Sequence, residues 1–298
     1  MNRVRRFIKQ YGWGYVFVLP SLITFALFTF VPVAWSFIIS FQKFSLVRGG
    51  QWVEPIYANY VDAFTILNGI FKTAIGNTIY YTVVTVTANI FIGLILASVI
   101  QSLRPRLRSF FRAAYYLPAV TSTLIIGLTW AYIFNAQWGF ANWLLRLVNL
   151  PPVRWLSNPD IALNSILLSA VLTMPATAIV LFSAAIGSIP QELYEATDLD
   201  GATPLQKWWY ITVPLLKSTT LYLTVLYTIA SFEVFERIYV MVPSGVGNST
   251  QTIVTQIYNN GFKEFDFGIA AAQAFVLFIM IAIVAAFQFR WLRSDVEY

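Results

Sequence analysis

The chain has 298 residues, 58% of them hydrophobic and 11% charged, with a formal net charge of +6 and neither His nor Cys. Soluble domains carry roughly 25% charged residues, so an ordinary soluble protein is excluded, as are disulfides, thiolate metal sites, cysteine nucleophiles and imidazole bases. The basic residues are not interleaved with aromatics on a polar face, which argues against nucleic acid as a partner.

The apolar residues fall in long blocks. A block of about 20 residues crosses a bilayer as a helix, and a helix satisfies its own backbone in lipid. The period-two alternation of a membrane barrel is missing. The blocks predict an all-α membrane protein with six spans, at about 11–41, 77–103, 113–134, 161–189, 218–241 and 267–289, in a single transmembrane domain over 1–298. The first block follows Arg3, Arg5, Arg6 and Lys9. It is too long for a signal-peptide core and has no small-residue cleavage pattern, so it reads as an uncleaved anchor. Between spans one and two, "YANYVDAFTILNGIFKTAIGN" repeats apolar residues at helical spacing. It is expected to lie along the membrane interface. The stretch 137–160, rich in Trp and Pro, predicts a compact cap. Pro20 and Pro32 in span one and Pro175 in span four interrupt the helical ladder. They are either kinks that shape a cavity or the Pro that membrane helices ordinarily tolerate.

Lys and Arg in short flanks set orientation. The N-terminal cluster, then Arg104, Arg106, Arg108 and Arg112 after span two, then Arg290 and Arg293 in the tail, place both termini in the cytoplasm. Spans one, two, three, four and six contain no ionisable residue. An ion-coupled carrier needs buried carboxylates, so that alternative is weakened. There is no G-x-x-x-x-G-K-[ST] phosphate loop. Energy for transport would have to come from another chain, docked on the cytoplasmic face.

The connector between spans four and five is built for docking. It holds Glu192, Glu195, Asp198 and Asp200, with small Ala196 beside them and Gly201 after them. Ser188 with Gln191, and Thr203 with Gln206 behind Pro204, read as two capping boxes. Gly201 between them would take a left-handed conformation and end the first helix. The expected segment, 189–214, is thus a short acidic helix, a sharp bend and a second helix entering the membrane. The alternative is a solvated surface loop.

Span five is short. Ser218 to Phe232 is about 22 Å of helix at roughly 1.5 Å per residue, less than the roughly 30 Å hydrocarbon core. Unless the helix breaks, Glu233 and Glu236 lie at membrane depth. With Phe232 and Phe235 they could bind and stack on sugars, or Glu233 could pair with Arg237 four residues on.

"EATDLDGATPLQKWWYITVPLL" closely resembles the EAA motif of ABC-importer permeases, through Glu195, Ala196, Asp200, Gly201, Ala202, Ile211 and Pro214. Thr197 stands where that motif usually has Ala. "GNTIYYT", "FRAAYYLPAVTS", "FEVFERIYV" and "DFGIAAAQAF" extend the resemblance over nearly the whole chain, to permeases of the maltose and glycerol-3-phosphate type. "VPSGVGNST", 242–250, departs from the T-x-G-G-P-like loop of those permeases. The resemblance implies a type I importer permease fold in a bacterial inner membrane. It also implies a coupling role for Glu195, Ala196, Asp198, Asp200, Gly201 and Ala202. The implied partners are a second homologous permease, a dimer of ATP-binding subunits that hold ATP and Mg, and an extracytoplasmic solute-binding protein. No cofactor, metal or catalytic residue is expected in this chain. Similarity to the maltose permease puts substrate contacts at Ala119 and Thr123, at Leu172, Thr173 and Ala176, and along Ser231–Glu236, including Phe232, Glu233, Phe235 and Glu236. Acids in that set disfavour a phosphate-bearing cargo. A sugar or sugar derivative is expected; the alternatives are glycerol-3-phosphate or a polyol, or an ion-coupled carrier.

Overall fold

A computed structural model describes residues 2–45, 49–65, 69–173, 175–242 and 246–292, with side chains from residue 14 onward except at Ser45 and Leu292. Arg293 and residues 243–245 of the 242–250 loop lie outside the described residues. The elements in chain order are α1 (Asn2–Phe25), α2 (Val31–Ile39), β1 (Gln42–Ser45), β2 (Gly49–Trp52), α3 (Ala58–Thr65), α4 (Ile70–Ser102), α5 (Pro105–Tyr116) and α6 (Thr123–Ile133). Then come α7 (Phe140–Leu147), α8 (Ala162–Leu172), α9 (Ala176–Ser188), α10 (Gln191–Leu199), α11 (Pro204–Lys207), α12 (Val213–Leu215), α13 (Lys217–Phe232), α14 (Glu236–Met241), α15 (Ile253–Tyr258) and α16 (Phe267–Leu292).

Four helices are long and apolar enough to cross a membrane: Gly14–Ile39, Ile70–Ser102, Ala162–Ser188 and Phe267–Trp291. Two bent pairs raise the number to six if each is one span, Pro105–Val120 with Thr123–Ile133 at 95° and Pro204–Leu215 with Lys217–Phe232 at 66°. The chain is a helical membrane protein. The arginine-bearing connector after the second span is itself helical, as α5. The second span begins at Ile70, after Gly69 in a left-handed conformation, and so absorbs part of the expected interfacial segment.

The chain divides into two compact units, Met1–Thr65 with Ile257–Phe275, and Ile66–Gln256 with Val276–Tyr298. In the first unit the helix Gly14–Ile39 has no buried residue. It passes Pro20 without a break and widens into a π turn at Ala26–Phe30, just before Pro32. A proline lacks the N–H of the ordinary ladder, and a wider turn absorbs that loss. An antiparallel hairpin follows, pairing Gln42 with Trp52 and Ser45 with Gly49. Buried Asn59 clamps it, donating to the carbonyls of Ser40 at 2.9 Å and Gln42 at 3.0 Å.

In the second unit α4 is the central post. On one side Leu94 and Ala97 pack with Ala178, Phe182, Leu216 and Leu223. On another Tyr81 packs with Ile166, Leu167, Val234, Ile238 and Met241. Gly93 lets α4 and α9 meet closely, since a Cβ there would fall 2.4 Å from that of Ala178. Small residues at such crossings are what membrane helices use in place of a hydrophobic driving force. The Trp-rich cap folds around Asn142. Its amide donates to the carbonyls of Ala136 and Val153, and its oxygen accepts from the Val153 N–H and the Trp155 indole.

Gly93→Val should therefore force α4 and α9 apart, at about 1–3 kcal/mol. The expected result is a lower melting midpoint of the purified chain in detergent, with its helical content unchanged. An unaltered midpoint would show that this contact carries no load.

Candidate functional site

The acidic segment folds as α10, a tight turn and α11. Of the two expected capping boxes one forms. Thr203 Oγ1 accepts from the Gln206 N–H and the Gln206 side chain accepts from the Thr203 N–H at 2.7 Å. Ser188 does not cap α10; its hydroxyl folds back to the Ala185 carbonyl at 2.8 Å, because Ser188 still belongs to α9 and Pro190 holds the N-cap position. Gly201 sits at φ +70°. Its N–H reaches the Asp198 carbonyl at 3.1 Å and the Ala202 N–H reaches the Thr197 carbonyl at 3.0 Å. This is a Schellman closure, which satisfies the helix's last carbonyls and needs a residue tolerant of positive φ. The Thr197 hydroxyl bonds to the Tyr194 carbonyl at 2.8 Å, so this departure from the motif is spent on its own helix. Asp198 pairs with Lys207 across the turn.

What remains outward is specific. Glu192, Glu195, Ala196, Leu199, Asp200 and Gly201 are exposed and Ala202 is half-buried. Leu199 is 91% exposed and Leu205 73%. Glu195 has no ion-pair partner among the described residues. The base of the outcrop is anchored. The Trp208 indole donates to Ser98 Oγ on α4 at 2.8 Å, and Tyr194 bonds Thr212 at 2.8 Å. Leu216 is buried against α4, α9 and α13. The α10 segment is thus tied to the packed helices of the second unit.

The second concentration of chemistry is a polar cavity of about 220 Å³. It lies where helices break. The 95° corner between α5 and α6 supplies Pro118, Ala119, Thr121 and Thr123. The gap between α8 and α9 supplies Thr173, Pro175, Ala176 and Thr177. Asn89 of α4, Tyr227 of α13 and Arg237 of α14 complete it, with Ile126 and Ala170 as apolar wall. Irregular backbone at membrane depth is tolerated only inside protein or against a water-filled cavity. Thr173 organises one wall. It accepts from the Trp130 indole at 3.0 Å and from Arg237 at 3.4 Å, and it donates to the Ser169 carbonyl. Arg237 also donates to Ser169 Oγ at 3.1 Å. The Asn89 side-chain oxygen is buried without a hydrogen-bond partner.

Of the substrate contacts expected from the sequence, the cavity brings together Ala119, Thr123, Thr173 and Ala176. Leu172 is 47% exposed and does not line it. Ser231 is taken up in a buried bond to Thr85 at 3.0 Å. Phe232 is buried and lines a different, mostly apolar cavity of about 470 Å³ between α4, α13 and α16. Phe235 stacks on Tyr239. Glu233 and Glu236 are exposed outside the polar cavity, because α13 ends at Phe232 and the chain turns before α14. Glu233 and Arg237 form no ion pair, since that break ruins the i,i+4 geometry. The acids therefore give no ground for disfavouring an anionic cargo. Asn89, Tyr227 and Arg237 were not singled out as cavity residues from the sequence. A polar or charged residue inside an apolar span was the available signal. Among the described residues no cluster of His, Cys, Asp or Glu could hold a metal.

The fold has counterparts among known proteins. The chain is 32% identical, over 92% of its length and 85% of the relative's, to an arabinooligosaccharides transport system permease protein of Halalkalibacterium halodurans. It is 29% identical, over 90% of its length and 89% of the relative's, to a trehalose/maltose transport system permease protein of Thermococcus litoralis. In structure it is similar to a chain of a bacterial ABC transporter involved in the import of the acidic polysaccharide alginate. The TM-score is 0.88 at 23% identity, covering 99% of this chain and 100% of that one. Residues 89–297 match the family model for binding-protein-dependent transport system inner membrane components, and the chain belongs to that family.

Proposed function

We propose that the chain is the membrane-spanning permease subunit of an ATP-driven importer for a sugar or sugar derivative. The observation that carries this is the exposed α10 outcrop, rigidly rooted on the helices that surround a polar cavity. Glu195 is a carboxylate free for a basic partner, and Leu199 beside it is an apolar anchor. Together they fit a groove with an apolar floor and a cationic rim on an ATP-binding subunit. That subunit hydrolyses ATP with its own Mg; this chain supplies the lever. The relatives' names support a saccharide cargo, and the hydroxyl- and amide-lined cavity suits one.

A 220 Å³ cavity is smaller than the roughly 300–1,000 Å³ of sites that engulf a ligand. It holds one part of the cargo, and a second, homologous permease completes the passage. An extracytoplasmic binding protein delivers the cargo, in keeping with the family description. The arginines of the α5 region support a reading in which that end of the bundle, the α10 outcrop and both termini face the cytoplasm. Closure of two ATP-binding subunits would draw the outcrops of two permeases together, and the anchored base would transmit this to the broken helices.

Three substitutions test the lever. Glu195→Arg is expected to abolish co-purification of the ATP-binding subunit in mild detergent while the chain still reaches the membrane. Retained co-purification and retained uptake would remove the docking role. Gly201→Val places a branched residue at positive φ, a strain of roughly 1–2 kcal/mol. It should reduce ATP-dependent uptake and speed amide hydrogen exchange at 196–206 while leaving 217–232 protected. Gly201→Asn, which tolerates that backbone, should retain most activity. Equal losses in both variants would mean that positive φ is not what the site requires.

A further inference from the structure

Among the described residues Arg237 is the one permanently charged side chain that lines the polar cavity. It arrives there because α13 stops at Phe232 and the chain restarts as α14, one residue before it. Its hydrogen bonds run from one terminal nitrogen to two hydroxyls, Ser169 and Thr173. Among the described residues no carboxylate pairs with it. Glu233 and Glu236, the nearest acids in sequence, are exposed outside the cavity. A partly buried cation without a counter-ion is costly and is found where function requires it. Hydroxyl partners orient the guanidinium and leave its charge uncompensated. A packing role would be filled at lower cost by an uncharged residue.

Building on the proposed sugar passage, we infer that Arg237 makes this cavity selective for a saccharide carrying a single negative charge, a carboxylate of the uronate type. The guanidinium fork matches a carboxylate in two parallel hydrogen bonds. Charge count separates this cargo from a sugar phosphate. A phosphate monoester carries about −1.5 to −2 at neutral pH, and the cavity lining offers no second cation. The Asn89 oxygen is buried without a donor among the described residues, on a side chain that lines this cavity, and it is the acceptor a sugar hydroxyl would need there. The site thus pairs a cation for the acid group with an acceptor for a hydroxyl. Both belong to the same 220 Å³ space, and both lie on α4 and α14 rather than on the cargo-facing loops of a delivery protein.

The test uses the assembled permease and ATP-binding complex in nanodiscs without its binding protein, so that the permease cavity alone is read. Saturation-transfer NMR compares three matched disaccharide probes: galacturonosyl-galactose, which carries one carboxylate, neutral galactobiose, and galactobiose bearing one phosphate monoester. The wild type should take the uronate at about tenfold lower half-saturation than either other probe, the ratio one charge-assisted hydrogen bond supports. Arg237→Gln should bring the uronate and neutral values together, and Arg237→Lys should keep part of the difference. The wild-type comparison stands even if a variant fails to assemble. A neutral sugar bound as well as the uronate overturns the charge selectivity and leaves the sugar passage intact. Preference for the phosphate overturns the single-charge assignment. No signal from any probe overturns the cavity as the cargo site altogether.

Discussion

Every backbone N–H and C=O within a bilayer must find a partner inside the protein. That constraint makes the chain helical, and it also makes each break in a helix informative. Three helix ends fall on one cavity: the corner after Val120, the end of α8 at Leu172 and the turn after Phe232. Hydroxyls, an amide and one guanidinium are gathered there among the described residues. The rest of the bundle is arranged to hold those breaks in place. α4 supplies the unbroken post, with 33 residues and Gly93 pressed against Ala178.

The same logic explains the division of labour along the chain. The outcrop is rigid because its ends are closed by local chemistry, the Schellman turn at Gly201 and the box at Thr203. Its acids have separate fates. Asp198 is used internally by Lys207 and braces the turn, while Glu195 stays outward. The anchor at Trp208 and Ser98 ties this outcrop to α4, and α4 also carries Asn89 in the cavity wall. Outcrop and cavity therefore share one helix.

Much of this was legible in the sequence, since long apolar blocks report helices directly and Gly201 with the Thr203 box carries its own local chemistry. The acidic turn could be placed because its capping residues act within a few positions. What could not be read were bends and long-range pairings. Helical spacing is the same on both sides of a corner, so residues 113–134 looked like one straight span although the chain turns by 95° at 121–122. Ser188 has the residue type of a cap, yet the last turn of α9 claims it. The hairpin at 42–52 left no trace because its strands are short and exposed at Gly49 to Trp52. Arg237 was weighed only as a partner for Glu233, because i,i+4 spacing presumes a continuous helix, and the helix stops between them.

The central claim is that the polar cavity opens to one side of the membrane and then the other as the ATP-binding subunits close. The chain contains no cysteine, so Thr123→Cys would put its only thiol on the cavity wall, in an exposed position. With thiols removed from the partner subunits, a membrane-impermeant maleimide should label that position from the cytoplasmic side in the nucleotide-free importer. After ATP hydrolysis with vanadate, which traps ADP and vanadate in the closed ATP-binding subunits, it should label from the opposite side. Labelling from the same side in both states, or none from either, would contradict the account.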